Sequence, residues 1–448
     1  MHTTDHAIRS RTRFAAALGL SAALLLTGCD APGGVAPTRS TPAVSTELGS
    51  DPVRITARVN EDQVALWESL TEAFEVEFPT VTVELETEAF DTLQQNAPRY
   101  LAAEHTPDLL RLAAPGDAVK NGLLLTLDPY AEAYGWDDFP RSQLEQWTIA
   151  EDGRVRGEGA LYGMGAGFGL VGVYYDRDRL EELGYTSPPS TLDEFEGMLA
   201  TAAQHGTTPL MGNPAYLFQG LTQAYGGADA VSDWVFNVPG ATIETPEAET
   251  AARTLQEWIA AGYFPRDFGS ADPGLDFGRF SDGESLFFHN GSWFAAGLDT
   301  VDPGRFGFFL LPPAEPPTGF QTMAAPNALV IPSGAEHPNE AAAFLNWLNG
   351  DEARAILAEV GGLAAGGPAD LSPPPVPTGT VFADTIAAFD QVVEADGIVD
   401  FLANATAGMS SATLDPQSDL LIAGHVTAEE FLANLQADYA AATSARGR

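Results

Sequence analysis

Between residues 53 and 85 the hydrophobic period changes twice, and this restricts the fold more than any other feature of the chain. Val53, Ile55, Ala57 and Val59 alternate, as on a strand with one buried face. Asn60-Glu61-Asp62 interrupts the alternation. Val64, Trp67, Leu70, Phe74 and Phe78 then recur at helical spacing, and Pro79 stops the helix. Val81, Val83 and Leu85 alternate again. A strand, a helix and a second strand of this size form a parallel pair with a right-handed crossover. Parallel sheets of this kind collect ligand-facing side chains at the carboxyl ends of their strands. Glu61 and Asp62 follow the first strand; Glu88, Phe90 and Asp91 follow the second. A third strand is expected over residues 107–112. Asp108 at its start either accepts hydroxyl protons from a ligand or orients a loop.

With 448 residues the chain exceeds one ordinary core, so two lobes are expected. The 45% hydrophobic and 19% charged content is that of a globular chain. The 62 acidic against 21 basic residues leave a formal charge of −41. Such a surface repels phosphate backbones and argues against nucleic-acid binding. Lys120 is the only lysine, so arginine supplies nearly all of the positive charge.

Cys29 is the only cysteine, which excludes an internal disulfide and a cysteine-based zinc site. Arg9, Arg11 and Arg13 precede an apolar run over residues 14–26, too short to span a bilayer and suited to a signal peptide. Leu26-Thr27-Gly28-Cys29 follows at once and resembles a bacterial lipobox. On this reading residues 1–28 are removed and Cys29 carries the acyl chains that hold the protein on the outer face of the cell membrane. A plain secretory signal followed by a stray cysteine is the alternative. Residues 29–50, rich in Pro, Thr, Ser, Gly and Ala, read as a flexible tether reaching about 25 Å.

Further along, glycine and strand-forming residues alternate over residues 160–176, as expected where a strand crosses between lobes. Tyr162 and Phe168 would face the cleft there. Tyr174-Tyr175 raises a ferric site as an alternative to an apolar strand. Thr191-Leu192-Asp193-Glu194 and Thr427-Ala428-Glu429-Glu430 are capping boxes. Thr245-Pro246 opens another helix with proline at its first position. Between them Asn213, Tyr216, Phe218, Tyr225 and Trp234 read as loop residues, either sugar-stacking platforms or core. Residues 283–297 then run through an apolar strand, break at Asn290-Gly291-Ser292 and present Trp293. A strand, a glycine turn and an aromatic can deliver a flat ring to the edge of a cleft; Trp293 as core filler is the other reading.

These blocks, in this order, resemble the extracellular solute-binding proteins of family 1, the maltose-binding-protein-like lipoproteins of ABC importers. The resemblance rests on Pro107-Asp108-Leu109-Leu110, on the run from Gly122 to Asp128, and on Tyr174-Tyr175-Asp176 followed by Pro188-Pro189-Ser190-Thr191. Gly283 through Gly291-Ser292-Trp293 and Pro338-Asn339-Glu340-Ala341 through Phe344 complete it. The chain departs from the family pattern at Leu192, often Trp, at Asp176, often Asn, and at Tyr162-Gly163-Met164-Gly165, which lacks a proline.

The resemblance implies an α/β, two-lobed fold of the periplasmic-binding-protein type (type II), each lobe a mixed sheet flanked by helices, joined by hinge crossings. One lobe would hold residues 51–163 with 315–348, the other 164–314 with 349–448. Closure would be a hinge motion in which the ligand bridges both lobes. Trp293 would stack on a sugar, while Glu61, Asp62 and Asp108 accept hydroxyl protons from the first lobe. Asn290, Phe168, Asn213, Tyr216 and Trp234 are further candidate contacts. The expected partners are a carbohydrate and the transmembrane subunits of an ABC permease, with the protein a monomer and no cofactor bound. A polyol, a glycerol phosphodiester, a metal or a peptide is the alternative ligand class. A membrane-anchored hydrolase is the rival activity, but no Gly-x-Ser-x-Gly elbow or His-Glu-x-x-His is present.

Overall fold

The computed structural model describes residues 43–445 apart from 140, 269–272, 316–318, 362, 367–375, 396 and 407, and omits the side chains of 62, 141–142 and 273–274. Cys29 and the apolar run before it lie outside the described residues. Among the described residues no helix is long and apolar enough to cross a membrane.

The amino-terminal unit is the strand–helix–strand of the sequence. Strand β1 (Val53–Asn60), helix α1 (Val64–Glu77) and strand β2 (Val81–Glu88) follow one another, with β1 and β2 parallel and in register from Val53↔Val81 to Asn60↔Glu88. The apolar stripe of α1 buries Leu66, Trp67, Leu70 and Phe74. Each such side chain contributes about 1.5–3 kcal/mol when fully removed from water. After α2 (Phe90–Leu101), strand β3 (Leu109–Arg111) joins β1 on its other side, again parallel.

The crossing between lobes is carried by β4 (Gly163–Asp176), fourteen residues long. Beyond it lie α3 (Leu192–Gln204), β5 (Thr208–Gly212), α4 (Pro214–Gly226), α5 (Pro246–Ala260), β6 (Ser285–Gly291) and β7 (Phe306–Phe309). Strand β8 (Thr322–Val330) then returns antiparallel to the first half of β4, from Ala324↔Leu170 to Val330↔Gly163. The second half of β4 pairs with β6, from Val171↔Gly291 to Tyr175↔Phe287, and with β7. One continuous sheet in the order β2-β1-β3-β8-β4-β6-β5 therefore runs through both lobes, with parallel and antiparallel neighbours. A third passage is made by Ala364–Ala365, which pairs with Phe168 and Gly167 of β4.

Helix α6 (Pro338–Trp347) comes back to the first lobe. Phe344 and Trp347 pack edge-on to Phe74 of α1, with ring centroids 4.9 and 5.6 Å away. The second lobe is completed by α7 (Val381–Glu394), α8 (Asp415–Ile422) and α9 (Ala428–Ala445).

The apolar cores divide in the same way. One gathers Ile55 to Ala166 with Ala328 to Leu363. Two other large cores hold residues from Phe168 onward, with Phe431 and Leu435 of α9 in one and Val381 and Phe389 of α7 in the other, and a small one joins Val171, Met323 and Phe401. Ala353, Leu357 and Leu363, expected with the second lobe, lie in the first core.

The end of the expected tether is also packed. Val44 and Leu48 rest on the first core, and the Ser45 N–H donates to Asn339 Oδ1 at 3.2 Å. These apolar side chains find a surface that the composition of the segment does not announce.

Helix starts follow the sequence signals. Thr191 Oγ1 accepts the Glu194 N–H at 3.2 Å, and Thr245 Oγ1 accepts that of Ala248 at 3.2 Å. At α9 the capping box is reciprocal: Glu430 N–H to Thr427 Oγ1 at 3.1 Å, and Thr427 N–H to Glu430 Oε2 at 2.9 Å. The aromatics read as loop residues are instead helical: Tyr216, Phe218 and Tyr225 lie on α4 and Trp234 on a short helix, Asp229–Val235. Asn213-Pro214 was the available signal, an N-cap followed by proline at the first helical position.

Candidate ligand-binding cleft

A cleft of about 1090 Å³ lies at the carboxyl ends of β1, β2, β3, β5 and β6. The first lobe contributes Asn60 and Gln63 after β1, Phe90 and Asp91 after β2, and Arg111 at the end of β3. A bulge between Pro326 and Ala328 in β8 presents Asn327 to the same wall, as bulges re-aim side chains. These residues form one polar chain. Gln63 Oε1 accepts from Asn60 Nδ2 at 3.3 Å and from Asn327 Nδ2 at 2.9 Å. The Arg111 guanidinium donates to the Leu112 and Ala328 carbonyls at 3.0 and 3.3 Å and to Asn327 Oδ1 at 3.4 Å.

The facing wall is aromatic. Trp293, Tyr216 and Phe401 meet as a trio, with centroids 6.3 Å apart for Tyr216–Trp293, 5.4 Å for Tyr216–Phe401 and 6.4 Å for Trp293–Phe401. All three line the cleft. Trp293 follows β6 and is half-buried. Its ring lies where a side chain on Gly291 would be: a Cβ there would come within 2.0 Å of the indole. A Cβ on Gly169, on the crossing strand, would be 3.2 Å from the same ring. Small residues at both places let the indole lie flat against the sheet edge. Burial pushes the Tyr216 phenol well above its ordinary pKa, with the charges of Asp415 and Asp91 adding to the shift, so it remains a hydroxyl donor.

Asn290 and Asn213 also line the cleft. Asn290 Oδ1 accepts the Gly291 N–H at 2.8 Å, and Asn213 Oδ1 caps α4 by accepting the Tyr216 N–H at 3.1 Å.

The other expected contacts are placed elsewhere. Asp108 is buried, and its carboxylate accepts the N–H groups of Thr56 at 3.0 Å, Glu336 at 3.0 Å and His337 at 2.9 Å; it orients a loop. Phe168 is in the core, with its ring centroid 5.3 Å from that of Phe389. Trp234 is fully buried, stacked on Tyr439 at 4.4 Å with its N–H on Gln436 Oε1 at 3.1 Å. Tyr162 is buried in the first core. Glu61 is exposed and does not line the cleft, whereas its neighbours Asn60 and Gln63 do. The Asp62 side chain lies outside the described residues. Tyr174 and Tyr175 are buried on β4, and the Tyr174 hydroxyl donates to the Gly291 carbonyl at 2.7 Å. Glu88 is turned to Tyr100, Asn96 and Arg58, and the Tyr100 hydrogen bond holds its carboxyl below the usual range.

Sequence reasoning does not find Phe401, Asn404, Ser410 or Asp415, which line the cleft from the carboxyl-terminal segment. Phe401, Asn404 and Ser410 sit in short irregular stretches and Asp415 opens α8, with no hydrophobic period to mark any of them. Among the described residues no group of three or more His, Cys, Asp and Glu could hold a metal ion.

Two α/β lobes, joined by strand crossings and enclosing a cleft at the strand ends, define a two-lobed binding protein. The chain belongs to the bacterial extracellular solute-binding proteins: the model of that family matches residues 69–369. Solved structures share the fold. A chitin oligosaccharide binding protein superposes with a TM-score of 0.71 at 19% identity, over 88% of this chain and 100% of that one. A protein from work on xylan utilization by Caldanaerobius polysaccharolyticus gives 0.70 at 18%, over 87% and 99%. A maltose-bound protein of T. maritima gives 0.68 at 17%, over 86% and 99%.

Proposed function

We propose that this protein captures a carbohydrate by closing its two lobes and hands it to the transmembrane subunits of an ABC permease. The observation that carries the reading is the composition of the two walls. Trp293, Tyr216 and Phe401 stand on one side of the cleft, and Asn60, Gln63, Arg111 and Asn327 on the other. A sugar ring has an apolar face for the aromatics and equatorial hydroxyls for amides and a guanidinium. At about 1090 Å³ the cleft is at the upper end of ligand pockets, which suits more than one sugar ring. The sugars named for the structural relatives point the same way. On this reading the protein performs no chemistry on its ligand and acts as a monomer.

On this reading the first lobe holds residues 43–166 with 328–363 and the second 168–324 with 364–445, a division that the separate apolar cores support. Residues 1–28 act as a lipoprotein signal, and acyl chains on Cys29 hold the protein at the outer face of the cell membrane.

Thermal unfolding against mono- and oligosaccharides, polyols, glycerol phosphodiesters, amino acids, peptides and metals tests the proposal. A binding sugar at a hundredfold excess over Kd adds about 2.7 kcal/mol to the stability and raises the midpoint. The ligand is recovered unchanged, and Trp293→Ala removes most of the shift. A response confined to a metal, a peptide or a phosphodiester overturns the carbohydrate assignment.

A further inference from the structure

The charge of the cleft is strongly one-sided. Among the described residues that line it, the carboxylates are Asp91, Asp117, Asp276, Asp415 and Asp419, and the only cation is Arg111. Arg111 spends hydrogen bonds on two backbone carbonyls and on Asn327. Asp276 has Arg279 at 3.5 Å. Asp91 and Asp415 both reach solvent and come from opposite lobes, Asp91 at the start of α2 and Asp415, its carboxyl partly desolvated, at the start of α8. Asp415 Oδ2 accepts one hydrogen bond, from Ser410 Oγ at 3.1 Å. Partial desolvation lifts the Asp415 carboxyl above the usual range, and the charges of Asp91 and Asp419 add to it. Beside Asp415 and Asp419 the cleft is lined by Ser418, only 2% exposed, whose Oγ has no hydrogen-bond partner among the described residues. A buried hydroxyl left without a partner at the edge of a binding cleft marks a position where a ligand donor or acceptor completes the site.

We infer that the ligand is a carbohydrate carrying a protonated amine, seated between the rings of Trp293, Tyr216 and Phe401 and the carboxylates of Asp91 and Asp415. The inference rests on the carbohydrate reading above and names its charge. Neutral hydroxyls can satisfy the lone pairs of both carboxylates, but they leave two like charges that repel as the lobes close. An ammonium removes that repulsion and donates to both carboxylates by charge-assisted hydrogen bonds. It also gains from the faces of the aromatic trio, since a cation within about 6 Å of a ring centroid is attracted by the ring quadrupole. A phosphorylated sugar meets the opposite field and is rejected.

The test is calorimetric titration of the protein with matched pairs of sugars, each amino sugar beside its N-acetylated or hydroxyl counterpart, in gluco, galacto and manno series and as short oligomers. The amine is expected to bind about tenfold tighter than its neutral partner, an advantage that shrinks as salt is raised. Asp415→Asn and Asp91→Asn each drive the ratio within the pair towards one. Neutral sugars binding as tightly as their amino counterparts, or an amine advantage indifferent to both substitutions, overturns the charge assignment and leaves the carbohydrate reading standing. A panel in which no sugar of either charge binds overturns both.

Discussion

At the scale of single residues, the position of Trp293 is set by what Gly291 lacks. The Cβ that any other residue would add at 291 falls 2.0 Å from the indole ring. No Cβ tolerates that approach, so the ring must leave the sheet edge if the glycine is replaced. Gly291→Ala is therefore expected to weaken ligand binding by about tenfold, within the 0.5–1.5 kcal/mol range of a well-placed aromatic contact. Titration of the variant against the ligand found for the parent protein checks this, and unchanged affinity would mean that the indole does not touch the ligand. The Gly-Ser-Trp triplet makes this residue legible from sequence. Phe168 and Trp234 show the limit of the same logic. Each is an aromatic near a turn or a crossing, and only tertiary packing, against Phe389 and Tyr439, decides that they are core.

At the scale of elements, Asp108 ties β1 to the segment that leads into α6. Its carboxylate takes one N–H from Thr56 and two from the turn at Glu336 and His337. Asp108→Ala would leave three partly buried backbone donors without their acceptor, each costing about 1 kcal/mol. A loss on the order of 3 kcal/mol in urea unfolding is expected, with ligand affinity unchanged once the variant is folded. An affinity loss without a stability loss would restore the ligand role. The elements themselves were largely readable. The alternation of β1 and β2, the α1 stripe and the capping boxes at Thr191 and Thr427 each carry their own local signal. Half of the cleft was not readable, because its residues depend on non-local events. Asn327 reaches the wall through a bulge, and Phe401 and Asp415 arrive from a distant carboxyl-terminal segment. Neither event leaves a period in the sequence.

At the scale of the whole molecule, a buried ion pair ties the amino-terminal half of the chain to the segment that carries Phe401. Arg156 lies within the amino-terminal half of the chain, and its guanidinium pairs with Asp400, both almost fully buried. Its Nε donates to the Gln146 carbonyl at 3.0 Å, and its backbone N–H to that of Phe236 at 2.9 Å. Asp400 in turn organises the loop that carries the cleft residues Phe401 and Asn404. Its Oδ1 accepts from the Phe401 N–H at 2.7 Å and from Asn404 Nδ2 at 2.8 Å, and its carbonyl accepts from Gln219 Nε2 at 2.9 Å. A hinge that opens and closes needs one place where the lobes stay attached, and this pair, beside the strand crossings, is suited to that role. Removing one partner of a buried pair strands the other charge and costs about 3–5 kcal/mol, whereas neutralising both costs much less. Arg156→Met should therefore lower stability sharply and weaken ligand binding through Phe401, while adding Asp400→Asn to it should recover much of the stability, because the stranded carboxylate is gone and the loop contacts of Oδ1 remain. Urea midpoints for the two single variants and the double variant, with ligand titrations of each, provide the check. Additive losses in the double variant would show that the two side chains act separately and that no clasp exists.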